Sequence, residues 1–179
     1  MIRLCDILFP IIHRRKEMQS RKILIIGCPG SGKSTFARKL HAATGLPLVH
    51  LDMLYWNEDK TTVPETEFMR RLDAALEQDA WIIDGNYAST LKNRMEKCDR
   101  VYLLDYPADV CLEGLYSRMN RPRPDMPWIE TEYDAEFIAF AAGFRKRILP
   151  GMLEVLNSFP GKEIIVFRSR READQYLNE

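Results

Sequence analysis

One eight-residue motif constrains the fold of this chain more than any other feature of its sequence. Residues 27–34 read GCPGSGKS and fit the pattern G-x-x-x-x-G-K-[ST]. The motif follows the apolar run 22–26 and precedes a stretch with helical spacing at 35–40. Glycines let the backbone N–H groups of such a turn point inward without Cβ clashes, and the following helix directs its positive end at the same point. The sequence therefore predicts a phosphate-binding loop between a strand and a helix.

The residues of this loop have separate predicted tasks. Lys33 is expected to reach the β- and γ-phosphates of a nucleoside triphosphate, and the Ser34 hydroxyl is expected to ligate Mg²⁺. The alternative is a glycine-rich turn without a ligand. This alternative is disfavoured because Lys33 and Ser34 are both present and the motif lies between a predicted strand and a predicted helix. The predicted nucleotide-binding residues are Gly27, Pro29, Gly30, Ser31, Gly32, Lys33, Ser34 and Thr35.

Composition limits the class of protein and of partner. The 179 residues suffice for one domain with a sizeable core, and 46% hydrophobic and 29% charged residues are ordinary for a globular protein. Lys+Arg and Asp+Glu both total 26. This zero formal net charge argues against direct binding of duplex nucleic acid, which needs a basic surface. The sequence leaves the oligomeric state open.

The cysteines and the hydropathy pattern predict a cytoplasmic protein without membrane contact. Cys5, Cys28, Cys98 and Cys111 have no C-x-x-C spacing, so neither a zinc site nor a disulfide framework is suggested. No uncharged apolar run approaches the ~20 residues of a membrane span. The start of the chain also lacks the pattern of a signal peptide, which fits a reducing compartment.

The first twenty residues differ in pattern from the rest of the chain. Residues 1–20 combine a short apolar segment, broken by Pro10, with the basic run 13–16. We interpret them as an N-terminal extension or a mis-assigned start, with Met18 as the alternative initiator. Residues 21–179 are then one domain.

Strand and helix patterns alternate along this domain. Continuous apolar runs between helical segments are typical of a parallel sheet covered on both faces, which predicts an α/β protein. The predicted strands span 22–26, 47–51, 81–83, 101–104 and 163–167. The predicted helices span 33–44, 64–78, 88–97, 109–118, a segment from 133 to 159 interrupted at Pro150-Gly151, and 170–177.

The carboxyl ends of the first four strands carry the loop and three carboxylates: Gly27, Asp52, Asp84 and Asp105. In open parallel sheets, ligands bind outside these ends. We predict that Asp84 holds Mg²⁺, directly or through water, together with Ser34; the alternative is a turn-forming Asp-Gly pair. Asp105 is interpreted as a structural residue at the end of its strand.

Asp52 is the predicted general base. A carboxylate at the end of the second strand would face the γ-phosphate from the acceptor side, where it orients a hydroxyl or accepts its proton. The alternative is an N-cap or turn residue. The neighbouring Tyr55 and Trp56 either stack on a flat acceptor or fill the core.

A segment rich in proline and arginine, 118–127, predicts a mobile lid. Its three prolines forbid regular structure. Arg118, Arg121 and Arg123 are expected to close over the phosphates, stabilise charge in the transition state and exclude water. The alternative is a solvated basic loop.

Several sequence elements together resemble those of a known family. They are GCPGSGKST at 27–35, HLDMLYW at 50–56, WIIDGNY at 81–87, LDYP at 104–107 and RPRPDM at 121–126. From about residue 21 to its C-terminus the chain is similar to the adenylate-kinase-like P-loop proteins often labelled DNA topology modulation proteins. The loop alone is shared by a vast superfamily, whereas the LDxLYW and WIIDGNY elements are much more specific.

This resemblance implies a fold, a layout and cofactors. The fold is a three-layer α/β P-loop NTPase fold of the nucleoside-kinase type, with a five-stranded parallel sheet in the order 2-3-1-4-5. The layout includes an acceptor-binding flap at about 52–79 and a lid at about 118–135. The implied cofactors are ATP and Mg²⁺, used in a kinase-type reaction.

One position departs from the pattern of nucleoside monophosphate kinases. Those enzymes place an arginine four residues after the strand-3 aspartate to grip the acceptor phosphate, whereas this chain has Ala88. Asn86 and Tyr87 offer neutral hydrogen bonds instead, and Arg94 follows one helical stretch later. A hydroxyl-bearing small molecule is therefore an alternative to an AMP-type acceptor. The predicted acceptor-binding residues are Asp52, Tyr55, Trp56, Asn86, Tyr87 and Arg94.

The leading hypothesis is an ATP-dependent kinase that transfers a phosphoryl group to a nucleotide-like or hydroxylated small acceptor. Its predicted catalytic residues are Lys33, Asp52, Arg118, Arg121 and Arg123. The alternative is an ATP-binding regulatory protein associated with DNA topology, with little transferase activity; a simple NTPase is a third, weaker reading. Asp52 and the lid favour the kinase, because a pure binding switch does not need an acceptor pocket.

Overall fold

The computed structural model describes residues 21–133 and 135–178. The predicted N-terminal extension, including Met18, lies outside the described residues. Within them, strands and helices alternate along the chain as the sequence pattern predicts.

Five parallel strands form one sheet in the described part of the chain. They are β1 (Lys22–Gly27), β2 (Leu48–His50), β3 (Trp81–Asp84), β4 (Arg100–Leu104) and β5 (Glu163–Phe167). Their order is β2-β3-β1-β4-β5, and each neighbouring pair is parallel. The predicted α/β fold class and the strand order 2-3-1-4-5 are confirmed.

Helices pack around this sheet and leave its central strands buried. They are α1 (Lys33–Thr44), α2 (Leu51–Tyr55), α3 (Glu65–Leu76), α4 (Ala88–Lys97), α5 (Ala108–Tyr116), α6 (Ala135–Arg147), α7 (Leu149–Asn157) and α8 (Arg170–Asn178). Every residue of β3 and β4 is buried, which explains why these strands read as unbroken apolar runs. None of the helices in the described ranges is both long and apolar enough to cross a membrane.

Glycines set both ends of α1. Gly32 precedes the helix with φ 93°, and Gly45 follows it with φ 72° and donates its N–H to the carbonyl oxygen of His41 at 2.8 Å. Both angles lie in the left-handed region that glycine adopts without a Cβ penalty. Helix α1 therefore begins at Lys33, so that Lys33 and Ser34 lie in its first turn beside the loop.

Two details of the predicted elements are wrong. β2 is shorter than predicted because Leu51 already begins α2. The predicted interruption at Pro150-Gly151 is not the helix break: α6 ends at Arg147, and Pro150 lies in the first turn of α7. The N–H groups of a first turn have no partner within the helix, so a proline is tolerated there.

Candidate active site

The loop between β1 and α1 adopts a conformation that requires glycine. Gly27, Gly30 and Gly32 have φ values of 146°, 81° and 93°. A Cβ at Gly27 would lie 2.3 Å from the carbonyl oxygen of Leu104, and a Cβ at Gly30 would lie 2.0 Å from that of Cys111. The loop is therefore pressed against the end of β4 and against α5, and backbone contacts fix its shape.

Two polar groups of the loop suit a polyphosphate ligand. The Ser31 hydroxyl is buried and has no hydrogen-bond partner among the described residues. Lys33 Nζ donates to the carbonyl oxygen of Cys28 at 3.0 Å. Burial lowers the pKa of Lys33, and the charge of Asp84 opposes this shift. A phosphate group would accept a hydrogen bond from Ser31 and offset the desolvation of the lysine ammonium, so the loop fits the ligand that its motif predicts.

Two cavities meet at the loop. The first, of about 300 Å³, lies along α1 and α8, and we call it the basic cavity after Lys33, Arg38, Lys39, Arg118, Arg123 and Arg170. The second, of about 790 Å³, lies beyond the ends of β2 and β3, and we call it the aromatic cavity after Trp56, Tyr87, Trp128, Tyr133, Phe137 and Phe140. Lys33, Ser34, Arg118 and Asp125 line both cavities, so a group bound at the loop is reached from either side.

Asp84 at the end of β3 is held by His50 at the end of β2. The two residues are paired in register between the strands, and His50 Nδ1 donates to Asp84 Oδ1 at 2.5 Å. Burial alone would lower the pKa of His50, but the hydrogen bond and the charge of Asp84 outweigh it, so the pKa is raised. Sequence reasoning missed His50, although it directly precedes the Leu51-Asp52 pair.

The two predicted magnesium residues, Ser34 and Asp84, both line the aromatic cavity. The carboxylate of Asp125 lines the same cavity. The described residues contain no cluster of three or more His, Cys, Asp or Glu side chains that could hold a metal ion. A hydroxyl and one or two carboxylates nevertheless fit Mg²⁺, because this ion keeps water and substrate phosphate oxygens as its other ligands.

Asp52 lies in the first turn of α2 and lines the aromatic cavity. The Tyr87 hydroxyl donates to Asp52 Oδ1 at 2.7 Å. Burial raises the pKa of Asp52, although the hydrogen bond from Tyr87 and the charge of Lys33 oppose the shift. A carboxylate with a raised pKa is a stronger base, which suits the predicted role in orienting a hydroxyl and accepting its proton.

Tyr55 and Trp56 lie in different environments. The Tyr55 ring packs against Phe68 and Tyr87, with centroids 5.2 and 5.0 Å away. Trp56 lines the aromatic cavity and meets Trp128 edge-on, with 5.2 Å between ring centroids. Trp56 is therefore placed to contact a ligand, whereas Tyr55 supports Tyr87 from the core side.

Carboxylates hold two of the three predicted lid arginines. Arg118 Nε donates to the Tyr133 hydroxyl at 3.0 Å and lies 3.3 Å from Glu130 Oε2. Arg123 forms ion pairs with Asp125 at 2.9 Å and with Glu130 at 2.8 Å. Both arginines line the basic cavity, and these contacts fold the segment over the loop. Movement of this segment stays a prediction.

Arg121 is placed differently from the other two lid arginines. Its side chain is exposed, and in the described part of the chain it lines neither cavity. The structure therefore brings Arg118 and Arg123 to the loop and leaves Arg121 outside.

Asp125 is a site residue that sequence reasoning missed. It is 2% exposed, lies between the two cavities, and accepts a hydrogen bond from Arg38 Nη1 at 3.0 Å. Burial would raise the pKa of Asp125, but the charge of Arg123 and the Ser34 hydroxyl outweigh it and lower the pKa. Its signal in the sequence was an acidic residue within an otherwise basic, proline-rich segment. Arg38 lies one helical turn after Ser34, which places both on the same side of α1.

Arg94 lies where a ligand does not reach it. It is fully buried, donates from Nη1 to the carbonyl oxygen of Gly85 at 3.0 Å, and also donates to the carbonyl oxygens of Asn86 and Tyr87. Burial lowers the pKa of Arg94 to about 10. The structure therefore does not bring the predicted acceptor-binding Arg94 into the aromatic cavity; it supports the loop 85–87 from below. Asn86 does line that cavity, and its Oδ1 accepts the N–H of Gly27 at 3.1 Å.

Known proteins resemble this chain in sequence and in fold. No family model matches it. An adenylate kinase of Thermotoga maritima is 25% identical over 150 residues, which cover 79% of this chain and 66% of that protein. This chain thus spans just under two thirds of the length of that relative.

Two solved shikimate kinases share the fold. The enzyme from Acinetobacter baumannii, in complex with shikimate, superposes with a TM-score of 0.61 at 18% identity over 92% of this chain and 93% of that one. The enzyme from Bacteroides thetaiotaomicron gives 0.55 at 16% identity, over 89% and 95% of the two chains. These similarities support a P-loop kinase fold; the narrower resemblance to DNA topology modulation proteins is not confirmed by them and stays a prediction.

Proposed function

We propose that this protein is an ATP-dependent phosphotransferase that moves the γ-phosphoryl group of Mg-ATP to a hydroxyl group of a small acceptor. The observation that carries the proposal is the pair of cavities that meet at Lys33 and Ser34. One cavity is lined by the loop and basic side chains, and the other contains Asp52. A donor and an acceptor bound on the two sides would bring their reacting atoms together at the shared residues, which is the positioning that phosphoryl transfer needs.

In the proposed step the acceptor oxygen forms a bond to the γ-phosphorus, and the bond from this phosphorus to the β–γ bridging oxygen breaks. The acceptor proton passes to the Asp52 carboxylate and then to water, and ADP leaves with the electron pair of the broken bond. Lys33, Arg118 and Arg123 would stabilise the charge on the phosphoryl oxygens. Magnesium, held by Ser34 and Asp84, would supply further charge neutralisation.

The relatives support this proposal at the level of reaction class. Adenylate kinase and shikimate kinase are both named as kinases of small molecules, and one of the solved structures holds shikimate. A regulatory ATP-binding protein would not require a second cavity of about 790 Å³ beside the loop. The proposed acceptor is therefore either nucleotide-like or a hydroxylated small molecule, as the sequence predicts.

The test is a screen of nucleotides, nucleosides and sugar acids for acceptor-dependent release of ADP. Lys33→Ala is expected to weaken catalysis by about 10²–10³-fold, because it removes a charge aimed at the phosphates. Asp52→Asn is expected to lower turnover by about 10²–10⁴-fold while ATP affinity is retained. The exposed residues Lys92 and Asp79 provide matched controls, as Lys92→Ala and Asp79→Asn.

Two outcomes would contradict the proposal. Unchanged ATP affinity and turnover in Lys33→Ala would remove the loop from the reaction. An equal loss of ATP binding and of transfer in Asp52→Asn would reduce Asp52 to a structural role.

A further inference from the structure

The two cavities differ sharply in charge. The basic cavity has six basic and two acidic lining residues, the acidic ones being Asp125 and Asp174. The aromatic cavity has the reverse balance, with three basic and five acidic lining residues. Its basic residues are Lys33, Lys60 and Arg118, and its acidic residues are Asp52, Asp84, Asp125, Glu130 and Glu132. The side of the loop that would receive the acceptor is therefore acidic.

Two of the three cations of the aromatic cavity are already engaged by other groups. Lys33 donates to the loop carbonyl of Cys28 and lies where the donor phosphates bind under the proposed function. Arg118 is engaged by Glu130 and Tyr133. Lys60 lines the cavity from an exposed turn, where its φ is 67°. A phosphate or carboxylate on the acceptor would thus face the carboxylates of the cavity with one exposed lysine as its counter-charge.

Nucleotide binding would make this cavity more acidic. Glu130 is balanced in the structure by Arg118 and Arg123, at 3.3 and 2.8 Å. Both arginines also line the basic cavity, so a polyphosphate there competes for their charge. Glu132 lines the aromatic cavity, is exposed, and forms no ion pair with another residue in the described ranges. Glu130 and Glu132 would then face the acceptor with little positive charge beside them.

The walls of the aromatic cavity present flat surfaces. The rings of Tyr133 and Phe137 stack with centroids 5.5 Å apart and 28° between their planes, and Phe137 and Phe140 follow at 6.4 Å and 26°. The rings of Trp56 and Trp128 meet edge-on, which joins the end of α2 to the 118–133 segment. Planar groups pack well against such surfaces, and a cation is attracted to the faces of aromatic rings.

We infer that the acceptor of the proposed reaction is a planar, hydroxyl-bearing molecule that carries no phosphate or carboxylate, and that a positively charged substituent is favoured over a neutral one. This inference rests on the proposed function and narrows it, because it excludes a nucleoside monophosphate. The volume of about 790 Å³ accommodates an acceptor the size of one or two rings.

The test uses three phenols of nearly equal size that differ in charge: tyramine, tyrosol and 4-hydroxyphenylacetate. Small phenols are chosen because a nucleoside monophosphate would also enter the basic cavity. Their dissociation constants are measured by titration calorimetry on the full chain, with and without Mg²⁺ and adenylyl imidodiphosphate. Tyramine is expected to bind at least about tenfold more tightly than 4-hydroxyphenylacetate, with tyrosol between them, and the ratio is expected to shrink at high salt.

A matched pair of variants tests whether the preference for tyramine over 4-hydroxyphenylacetate arises in the aromatic cavity. Glu132→Gln is expected to reduce the ratio by about two- to five-fold, as loss of an exposed charge does. Glu136→Gln removes an exposed charge on α6 that does not line the cavity in the described structure, and is expected to leave the ratio unchanged. Tighter or equal binding of 4-hydroxyphenylacetate would overturn the inference, and so would failure of tyramine to bind at millimolar concentration.

Failure of the proposed function gives a different result. If Mg-ATP fails to raise the melting temperature, the phosphotransferase proposal fails, whatever the phenols do. If Mg-ATP binds and the anionic phenol is preferred, the proposed function stands and the acceptor class is wrong.

Discussion

Replacement of Gly114 by alanine tests how closely α5 supports the phosphate loop. An ideal Cβ at Gly114 would lie 2.0 Å from the carbonyl oxygen of Gly30 and 2.7 Å from Nη2 of Arg170. At an ordinary helix position the same substitution stabilises a protein by roughly 0.5–1 kcal/mol, because alanine loses less backbone entropy on folding. At Gly114 we expect the opposite sign.

The magnitude follows from the contact with the loop. Real Cβ atoms essentially never approach another heavy atom within 3.0 Å, so the 2.0 Å contact must open by at least about 1 Å. The obstacle is a main-chain oxygen, so no rotamer change relieves it, and either the loop or α5 must shift. Such overpacking costs about 1–3 kcal/mol. With up to about 1 kcal/mol regained from helix propensity, we expect the free energy of unfolding to fall by up to about 2 kcal/mol.

The shift of the loop should also impair ATP binding, which a purely structural defect elsewhere would not do. Urea unfolding gives the stability change, and the rise in melting temperature with Mg-ATP reports binding. Gly151→Ala in α7 is the matched control, because a Cβ there meets no atom within 4 Å, and it should be neutral or stabilising by up to about 1 kcal/mol. A Gly114→Ala protein as stable as the original, with unchanged ATP binding, would refute the reasoning.

Two further predictions follow from the site. The pKa of His50 is raised in the folded state, so the folded protein binds the imidazole proton more tightly than the unfolded protein does. The resulting stabilisation of the fold is present below the ordinary pKa of 6.5, and it is lost as the pH rises through the raised pKa of the folded state. Urea unfolding at pH values on both sides of this pKa should show the loss of stability, and His50→Gln should remove this pH dependence. An identical pH dependence in the variant would contradict its assignment to His50. Trp128, in contact with Trp56, should change its fluorescence when Mg-ATP and an acceptor bind together. The same change in Trp128→Phe would assign the signal to another tryptophan.

Local sequence was sufficient for the parts of the fold that depend on neighbouring residues. The loop and the helix that begins at Lys33 follow from glycines at fixed positions, whose backbone angles no other residue adopts easily. The strands follow from apolar runs long enough to cross a buried sheet. The order of the strands does not follow from such patterns, because pairing joins segments far apart in the chain; here it came from the family resemblance.

The parts of the site that sequence reasoning missed depend on contacts over long distances in the chain. Arg38 and Asp125 are 87 residues apart, and His50 and Asp84 are 34 residues apart. Neither pair is marked by a regular spacing of residues in the sequence. Arg94 was misplaced for a related reason. Its burial is stabilised by main-chain carbonyl oxygens of the 85–87 loop, and side-chain identities do not reveal where such oxygens point.

The opposite charges of the two cavities can be traced to the order of the strands. β1 delivers the loop to the middle of the sheet edge, with β3 and β2 on one side and β4 and β5 on the other. β3 ends in Asp84, and β2 leads directly into Asp52, so the edge on that side is acidic. On the other side Asp105, after the end of β4, is paired with Arg145 and Arg168. On this side β5 also leads into α8, which brings Arg170 into the basic cavity. Under the proposed function, a phosphoryl group bound at the loop would therefore move from a basic environment to an acidic one, and the acceptor would bind among negative charges. On that proposal, the charge of the acceptor is the property that the fold constrains most directly.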